Sequence, residues 1–116
     1  MLLAFSVAPS GIPASQPADA DGATRPQSPD ASVHDAVAAA VKIVRESGLP
    51  NQTDSMFTTI EGEWDEVFAV VKRATEAVGQ FGSRVSLVIK ADIRPGYSGE
   101  LTAKVERLEN AIAVNP

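Results

Sequence analysis

Apolar and polar residues alternate near the start of this chain and again between residues 84 and 93. In the first segment, residues 2–8, the side chains of Leu3, Phe5 and Val7 share one face. Successive side chains of an extended strand point to opposite faces, so this alternation predicts a strand at each place. Each predicted strand therefore has one face suited to a buried core.

Two other segments carry apolar residues at the three- and four-residue spacing of an amphipathic helix. The first segment runs from Ser32, a good N-cap residue, to Gly48, which suits the left-handed position after a helix. The second follows a cluster of acidic residues, which stabilise a helix N-terminus through the helix dipole. The apolar positions of the two predicted helices are Val33, Ala36, Val37, Ala40, Val41, Val44, Val67, Val70, Val71, Ala74 and Val78.

Two short strands and a short helix complete the predicted order of secondary-structure elements. Residues 51–55 and 56–61 are predicted as the second and third strands, and residues 101–112 as a short C-terminal helix with Ser98 as its N-cap. The order β-α-β-β-α-β predicts the α+β class. In particular it predicts a ferredoxin-like βαββαβ sandwich, in which two helices cover one face of a four-stranded antiparallel sheet.

The second face of such a sheet has no helix over it and needs solvent, a ligand or another subunit. The third predicted strand carries Thr58, Thr59 and Glu61 where a core strand would carry Val or Ile. Ala4, Phe57 and Val88 make the same face too apolar for full exposure to water. We therefore predict a homo-oligomer, a tetramer built as a dimer of dimers, with a partly polar pocket between sheet faces.

The length of 116 residues fits a single domain, residues 1–116. A Pro-rich stretch at residues 10–31 separates the first strand from the first helix and is long for a compact domain. It has few apolar residues to anchor it. This composition favours a mobile, passive insertion that is dispensable for folding over a functional lid.

Charge and composition exclude several function classes. A net charge of −5 with only 10 basic residues argues against a nucleic-acid partner. The chain has no cysteine, and His34 is its single histidine. The sequence therefore gives no support for a metal centre of thiolates or of several histidines. It likewise gives no support for a catalytic triad built on cysteine or serine. No window approaches the roughly 20 apolar residues of a membrane span. We expect a cytoplasmic, non-enzymatic protein with no metal and no cofactor.

Three segments resemble the thiamine-binding protein family: residues 3–9 (LAFSVAP), 56–67 (MFTTIEGEWDEV) and 84–94 (RVSLVIKADIR). The turn Ile-Glu-Gly-x-x-Asp-Glu-Val at residues 60–67 is the most specific part of the resemblance. The resemblance implies a small, cytosolic, ferredoxin-like protein that assembles as a tetramer. It also implies that the ligand is thiamine or its hydroxymethylpyrimidine half.

The resemblance and the polar strand positions together predict a ligand site. Its predicted residues are Ser6, Met56, Phe57, Thr59, Glu61, Lys90 and Asp92. The Glu61 carboxylate suits an aminopyrimidine or a thiazolium cation, but it could equally cap the second helix or form an ion pair. Lys90 and Asp92 could pair with each other, and Trp64 could pack internally or stack on a ligand. The competing hypothesis is a regulatory or structural oligomer of the same fold that senses an amino acid or another metabolite.

Overall fold

The chain forms one antiparallel sheet with two helices against one of its faces. A computed structural model describes residues 1–12 and 29–114. The elements are β1 (Leu2–Ser10), α1 (Pro29–Glu46), β2 (Asn51–Thr53), β3 (Thr58–Glu61), α2 (Trp64–Val78), β4 (Arg84–Asp92) and α3 (Glu100–Val114), with a 3-10 turn (Gly79–Phe81) after α2. The predicted α+β, ferredoxin-like class is confirmed.

The strand order is β2-β3-β1-β4, and every neighbouring pair is antiparallel. β1 is central along its first half, where Phe5 lies opposite Thr58 on one side and Ile89 on the other. Side chains at opposed positions point to the same face. The odd-numbered residues of β1 and β4 therefore face the helices, as their alternation predicted.

The core lies between this sheet face and helices α1 and α2. Val67, Val70, Val71, Ala74 and Val78 bury the predicted stripe of α2, because they recur every three or four residues. The remaining core residues are Leu3, Phe5, Val7, Ala36, Ala40, Val44 and Ile60. Val33 and Val37 belong to the predicted stripe of α1, but each is 40% exposed.

The β2–β3 connection is longer than predicted, because Asp54 closes a tight turn. The carboxylate Oδ1 of Asp54 accepts the backbone N–H groups of Met56 and Phe57 at 2.8 and 2.9 Å. These two hydrogen bonds lower the pKa of the Asp54 carboxyl. Met56 and Phe57, predicted to begin a strand, therefore lie in the turn, and β3 starts at Thr58.

The sequence predicted the start of α2 correctly, but the observed starts of α1 and α3 differ from the predicted ones. α1 begins at Pro29 rather than after Ser32, since a proline needs no hydrogen-bond acceptor in the first turn of a helix. α2 begins as its acidic start predicted, with the Glu63 backbone N–H donating to Glu66 Oε1 at 3.1 Å in a capping box. α3 begins at Glu100, and the predicted cap Ser98 lies outside it.

The predicted insertion at 10–31 is shorter in the structure, because β1 runs to Ser10 and α1 starts at Pro29. Residues 11–28 remain, and of these residues 13–28 lie outside the described part of the chain. The prediction that the insertion is mobile concerns those residues and stays a prediction. The end of β1 is held against Gly82, where a Cβ would lie 2.5 Å from the carbonyl oxygen of Ser10. Only glycine permits this approach.

Candidate functional site

The face of the sheet opposite the helices, here called the open face, brings most of the predicted site residues together. On β1, Ala4 lies between Thr59 of β3 and Lys90 of β4. Leu2, the next residue on the same face, lies between Glu61 and Asp92. The four polar side chains thus flank a floor of small and aliphatic residues on the central strand.

Ser6 continues this face opposite Val88, beyond the end of β3. It is partly buried, whereas Lys90 and Asp92 on the edge strand are exposed. Five of the seven predicted residues, Ser6, Thr59, Glu61, Lys90 and Asp92, therefore share the open face.

Glu61 is 7% exposed, and its carboxylate is hydrogen-bonded within the chain. Its two carboxylate oxygens accept the backbone N–H groups of Glu100 and Leu101, at 2.8 and 3.3 Å. Those N–H groups begin α3 and have no acceptor within their own helix. We expected Glu61 to sit at the start of α2; instead the carboxylate caps α3, 39 residues further along.

The second polar group expected to need a partner is also satisfied internally. Thr58 faces the helices and is 6% exposed, and its hydroxyl lies 3.1 Å from the Thr53 hydroxyl on the neighbouring strand. Within the described residues, every fully buried side-chain nitrogen and oxygen has a partner. The buried polar groups of β3 therefore do not by themselves call for a ligand.

Asp92 pairs with α3 rather than with Lys90. Its carboxylate lies 2.5 Å from Lys104 Nζ, and both side chains are about half exposed. The hydrogen bond and the charge of Lys104 lower the pKa of the Asp92 carboxyl. The open face is thus bounded at one end by two anchors of α3, the Glu61 cap and this ion pair.

Met56 and Phe57 lie apart from the open-face group. They line a cavity of about 240 Å³ between the β2–β3 turn, α1 and the second half of β1, where Ser6 also contributes. Met56 is 72% exposed. Of the seven predicted residues, Ser6 alone lines this cavity and also lies on the open face. The structure therefore does not gather the seven residues into one pocket.

A second cavity, of about 190 Å³, was missed from the sequence. Met1, Trp64 and Tyr97 line it, and the guanidinium of Arg94 lies 3.6 Å above the Tyr97 ring. Trp64 also stacks on Phe68, with ring centroids 5.2 Å apart. A basic and an aromatic residue flanking the Pro95–Gly96 turn were the available signal. Both cavities are smaller than the roughly 300–1,000 Å³ of typical small-molecule pockets.

Across the described ranges, no cluster of three or more histidine, aspartate or glutamate side chains could hold a metal ion. None of the helices described here is long and apolar enough to cross a membrane.

Comparison with known proteins identifies the family. The family model described as "Thiamine-binding protein" matches residues 23–109. The UPF0045 protein Mb1933 of Mycobacterium bovis is 46% identical over 110 residues, which cover 94% of this chain and 91% of that protein. The UPF0045 protein sll0230 of Synechocystis is 38% identical over 79 residues, or 67% of this chain and 65% of that one.

Solved structures show the same fold. A hypothetical protein from Methanocaldococcus jannascii has a TM-score of 0.70 at 23% identity, covering 93% of this chain and 94% of its own. A candidate thiamine biosynthesis/salvage protein from Thermotoga maritima has a TM-score of 0.63 at 21% identity, covering 90% and 96%. The family match supports a small-molecule binding role. By the match over residues 23–109 and the 46% identity to its mycobacterial relative, this chain belongs to the thiamine-binding protein family.

Proposed function

We propose that this protein binds thiamine or its hydroxymethylpyrimidine half on the open face, and that it does so without catalysis or a cofactor. The observation that carries the proposal is the family match over residues 23–109, which includes β3 and β4. The family resemblance likewise leads us to propose that the protein acts in the cytoplasm.

The layout of the open face supports an aromatic ligand. Neighbouring strands lie about 4.8 Å apart, so Thr59 and Lys90 on either side of Ala4 are separated by about 10 Å. That separation suits one heteroaromatic ring with its substituents. The Ala4 methyl group offers a flat apolar contact, while the hydroxyl and ammonium groups stand at the rim.

Glu61 keeps acceptor capacity for this ligand despite its contacts with α3. A carboxylate offers about four acceptor positions, and the two N–H groups of α3 use two of them. We propose that a remaining position accepts from the pyrimidine amino group. The negative charge also suits a nearby thiazolium cation.

We further propose that the site is completed by assembly, as a homotetramer built from two dimers whose open faces pack together. Ala4→Asp would place a charge between the faces, where its desolvation disfavours assembly. Ala69→Asp is the matched control, because Ala69 lies exposed on α2. We expect light scattering to show a smaller particle for the first variant only; an unchanged mass for Ala4→Asp would refute face packing.

Isothermal titration calorimetry with thiamine and with hydroxymethylpyrimidine tests which ligand the protein binds. Thr59→Val keeps the shape of the side chain and removes the hydroxyl, so we expect affinity to fall about three- to tenfold. Met56→Ala, in the turn, is the control and should bind normally. The reverse pattern would move the site to the cavity near Met56. Binding of amino acids, with silence for both thiamine compounds, would instead support a metabolite sensor.

Glu61→Gln tests whether the negative charge of the Glu61 carboxylate contributes to ligand binding. If Glu61 contacts the ligand through a charge-assisted hydrogen bond, affinity should fall by about 1.5–3 kcal/mol. The amide protection of Glu100 and Leu101 is measured in the same variant to show that α3 keeps its cap. Unchanged affinity in a folded protein would leave Glu61 with a structural role alone.

A further inference from the structure

The cavity of about 190 Å³ beside Trp64, here called the Trp64 cavity, lies at the end of the sheet and apart from the open face. Two chain segments line it with Met1: residues 62–64 at the start of α2 and residues 93–97 after β4. The Gly62 backbone N–H donates to the Met1 carbonyl oxygen at 3.1 Å. The Met1 side chain packs against the core, so the cavity is on the helix-facing side of the sheet.

The Trp64 cavity has an aromatic wall that is only partly covered. Trp64 stacks on Phe68 through one face of its ring, with the ring planes 11° apart, yet it remains 52% exposed. Tyr97 is 50% exposed and carries the Arg94 guanidinium over one face of its ring. Aromatic rings gain stability from an apolar group laid against an exposed face. The second face of Trp64 can therefore take the apolar part of a ligand.

Two opposite charges line the same cavity, Glu63 from the first segment and Arg94 from the second. Met1 lies between the segments, and neighbouring extended segments are about 4.8 Å apart, so their backbones are separated by roughly 10 Å. In the part of the chain that the structure describes, the ion pairs join other residues. Stacking on Tyr97 fixes the plane of the guanidinium and leaves its N–H donors at the edge for a carboxylate.

This pair of charges selects the class of ligand. A simple anion would be attracted by Arg94 and repelled by Glu63, and a simple cation would meet the reverse. A zwitterion satisfies both groups. The volume of about 190 Å³ equals about six water molecules at roughly 30 Å³ each, which is too little for the two linked rings of thiamine.

We propose that the Trp64 cavity binds an apolar α-amino acid. Its carboxylate accepts from the Arg94 guanidinium, its ammonium group donates to the Glu63 carboxylate, and its side chain packs on Trp64. This site takes a second ligand and does not depend on the thiamine site proposed for the open face.

Trp64 is the single tryptophan of the chain, so its fluorescence reports occupancy of this cavity. L-phenylalanine should change the fluorescence saturably, with a dissociation constant of about 1 mM or less. N-acetyl-L-phenylalanine lacks the ammonium group and phenethylamine lacks the carboxylate, so each should bind about tenfold or more weakly. No saturable change up to about 10 mM, or equal binding of all three compounds, would overturn the proposal.

Charge-neutral variants locate the site. Arg94→Gln and Glu63→Gln should each weaken L-phenylalanine binding about tenfold or more, because each loses a charge-assisted hydrogen bond. Asp65→Asn is the matched control, since Asp65 is exposed in the same first turn of α2 but does not line the cavity. Normal binding by both Gln variants, or an equal loss in Asp65→Asn, would refute the assignment.

A competition experiment separates this site from the open face. Circular dichroism first confirms that Arg94→Gln is folded. Saturating thiamine should leave the L-phenylalanine titration of the wild type unchanged, and Arg94→Gln should bind thiamine as the wild type does. Displacement of L-phenylalanine by thiamine would overturn the second site. A protein that ignores thiamine but binds L-phenylalanine would refute the thiamine proposal alone.

Discussion

The two faces of β1 are made from alternate residues of one strand, yet they differ in burial and in the polarity of their neighbours. Leu3, Phe5 and Val7 are at most 8% exposed and lie beneath two helices. Ala4 and Ser6 lie between them in sequence and border polar side chains on the open face. One face therefore supplies stability, and the other is free to carry recognition. Substitutions at neighbouring positions can separate the two roles.

The largest expected effect is on the covered face. Leu3 is 0% exposed, so Leu3→Ala leaves a cavity and should lower the free energy of unfolding by about 2–5 kcal/mol. Ser6→Ala, three residues away on the open face, should change it by no more than about 0.5 kcal/mol. Urea denaturation of both variants measures the difference. Similar losses would show that the open face is as tightly packed as the core.

A second effect of intermediate size is expected where the open face meets α3. Glu61→Ala removes the acceptor of two backbone N–H groups, so we expect a loss of about 1–3 kcal/mol. Hydrogen exchange should accelerate at Glu100 and Leu101 while core amides stay protected. Glu106→Ala removes an exposed carboxylate from α3 and serves as the control. Unchanged exchange at Glu100 would contradict the cap.

A third prediction contrasts the two hydroxyl groups of the β2–β3 pair. Thr53→Val leaves the buried Thr58 hydroxyl without its partner, at a cost of about 1–3 kcal/mol. Thr58→Val should cost less, because the exposed Thr53 hydroxyl can turn to water. Thermal unfolding ranks the two variants. A larger loss for Thr58→Val would show that its packing, rather than its hydrogen bond, matters most.

The smallest effect concerns the ion pair at the rim of the open face. Lys104 lowers the folded-state pKa of Asp92, so the stability from this pair is present above the ordinary carboxyl pKa. It is lost as the pH falls through the lower folded value, below about pH 4. Asp92→Asn should therefore be slightly less stable than the wild type at pH 7 and equal to it in strong acid. A difference that persists at low pH would rule out the charge as its cause.

The strands and helices were predictable because their signals are periodic. Leu3, Phe5 and Val7 set the inner face of β1, and the valines of α2 set its buried stripe. The open face followed, since two helices cover one side of a sheet. Local periodicity says nothing, however, about contacts between distant segments. The cap that Glu61 provides for α3 joins residues 39 apart, so no local pattern predicts it.

Turn chemistry explains the misplacement of Met56 and Phe57. Asp54 folds the backbone over its own carboxylate, and this local hydrogen bonding overrides the strand propensity of the residues that follow. The prediction of one site therefore joined residues from two regions of the structure. Arg94 and Tyr97 were missed for the opposite reason, since their contact forms in a loop without periodicity.

The cap between Glu61 and α3 leads us to expect an order of folding. The Glu61 carboxylate takes its fixed position at the end of the sheet when β3 pairs with β1, and there it accepts the first N–H groups of α3. A 15-residue helix is marginal in water by itself. We therefore expect α3 to gain its stable structure late, on a sheet already formed. Changes in α3 should then alter the rate of unfolding more than the rate of folding.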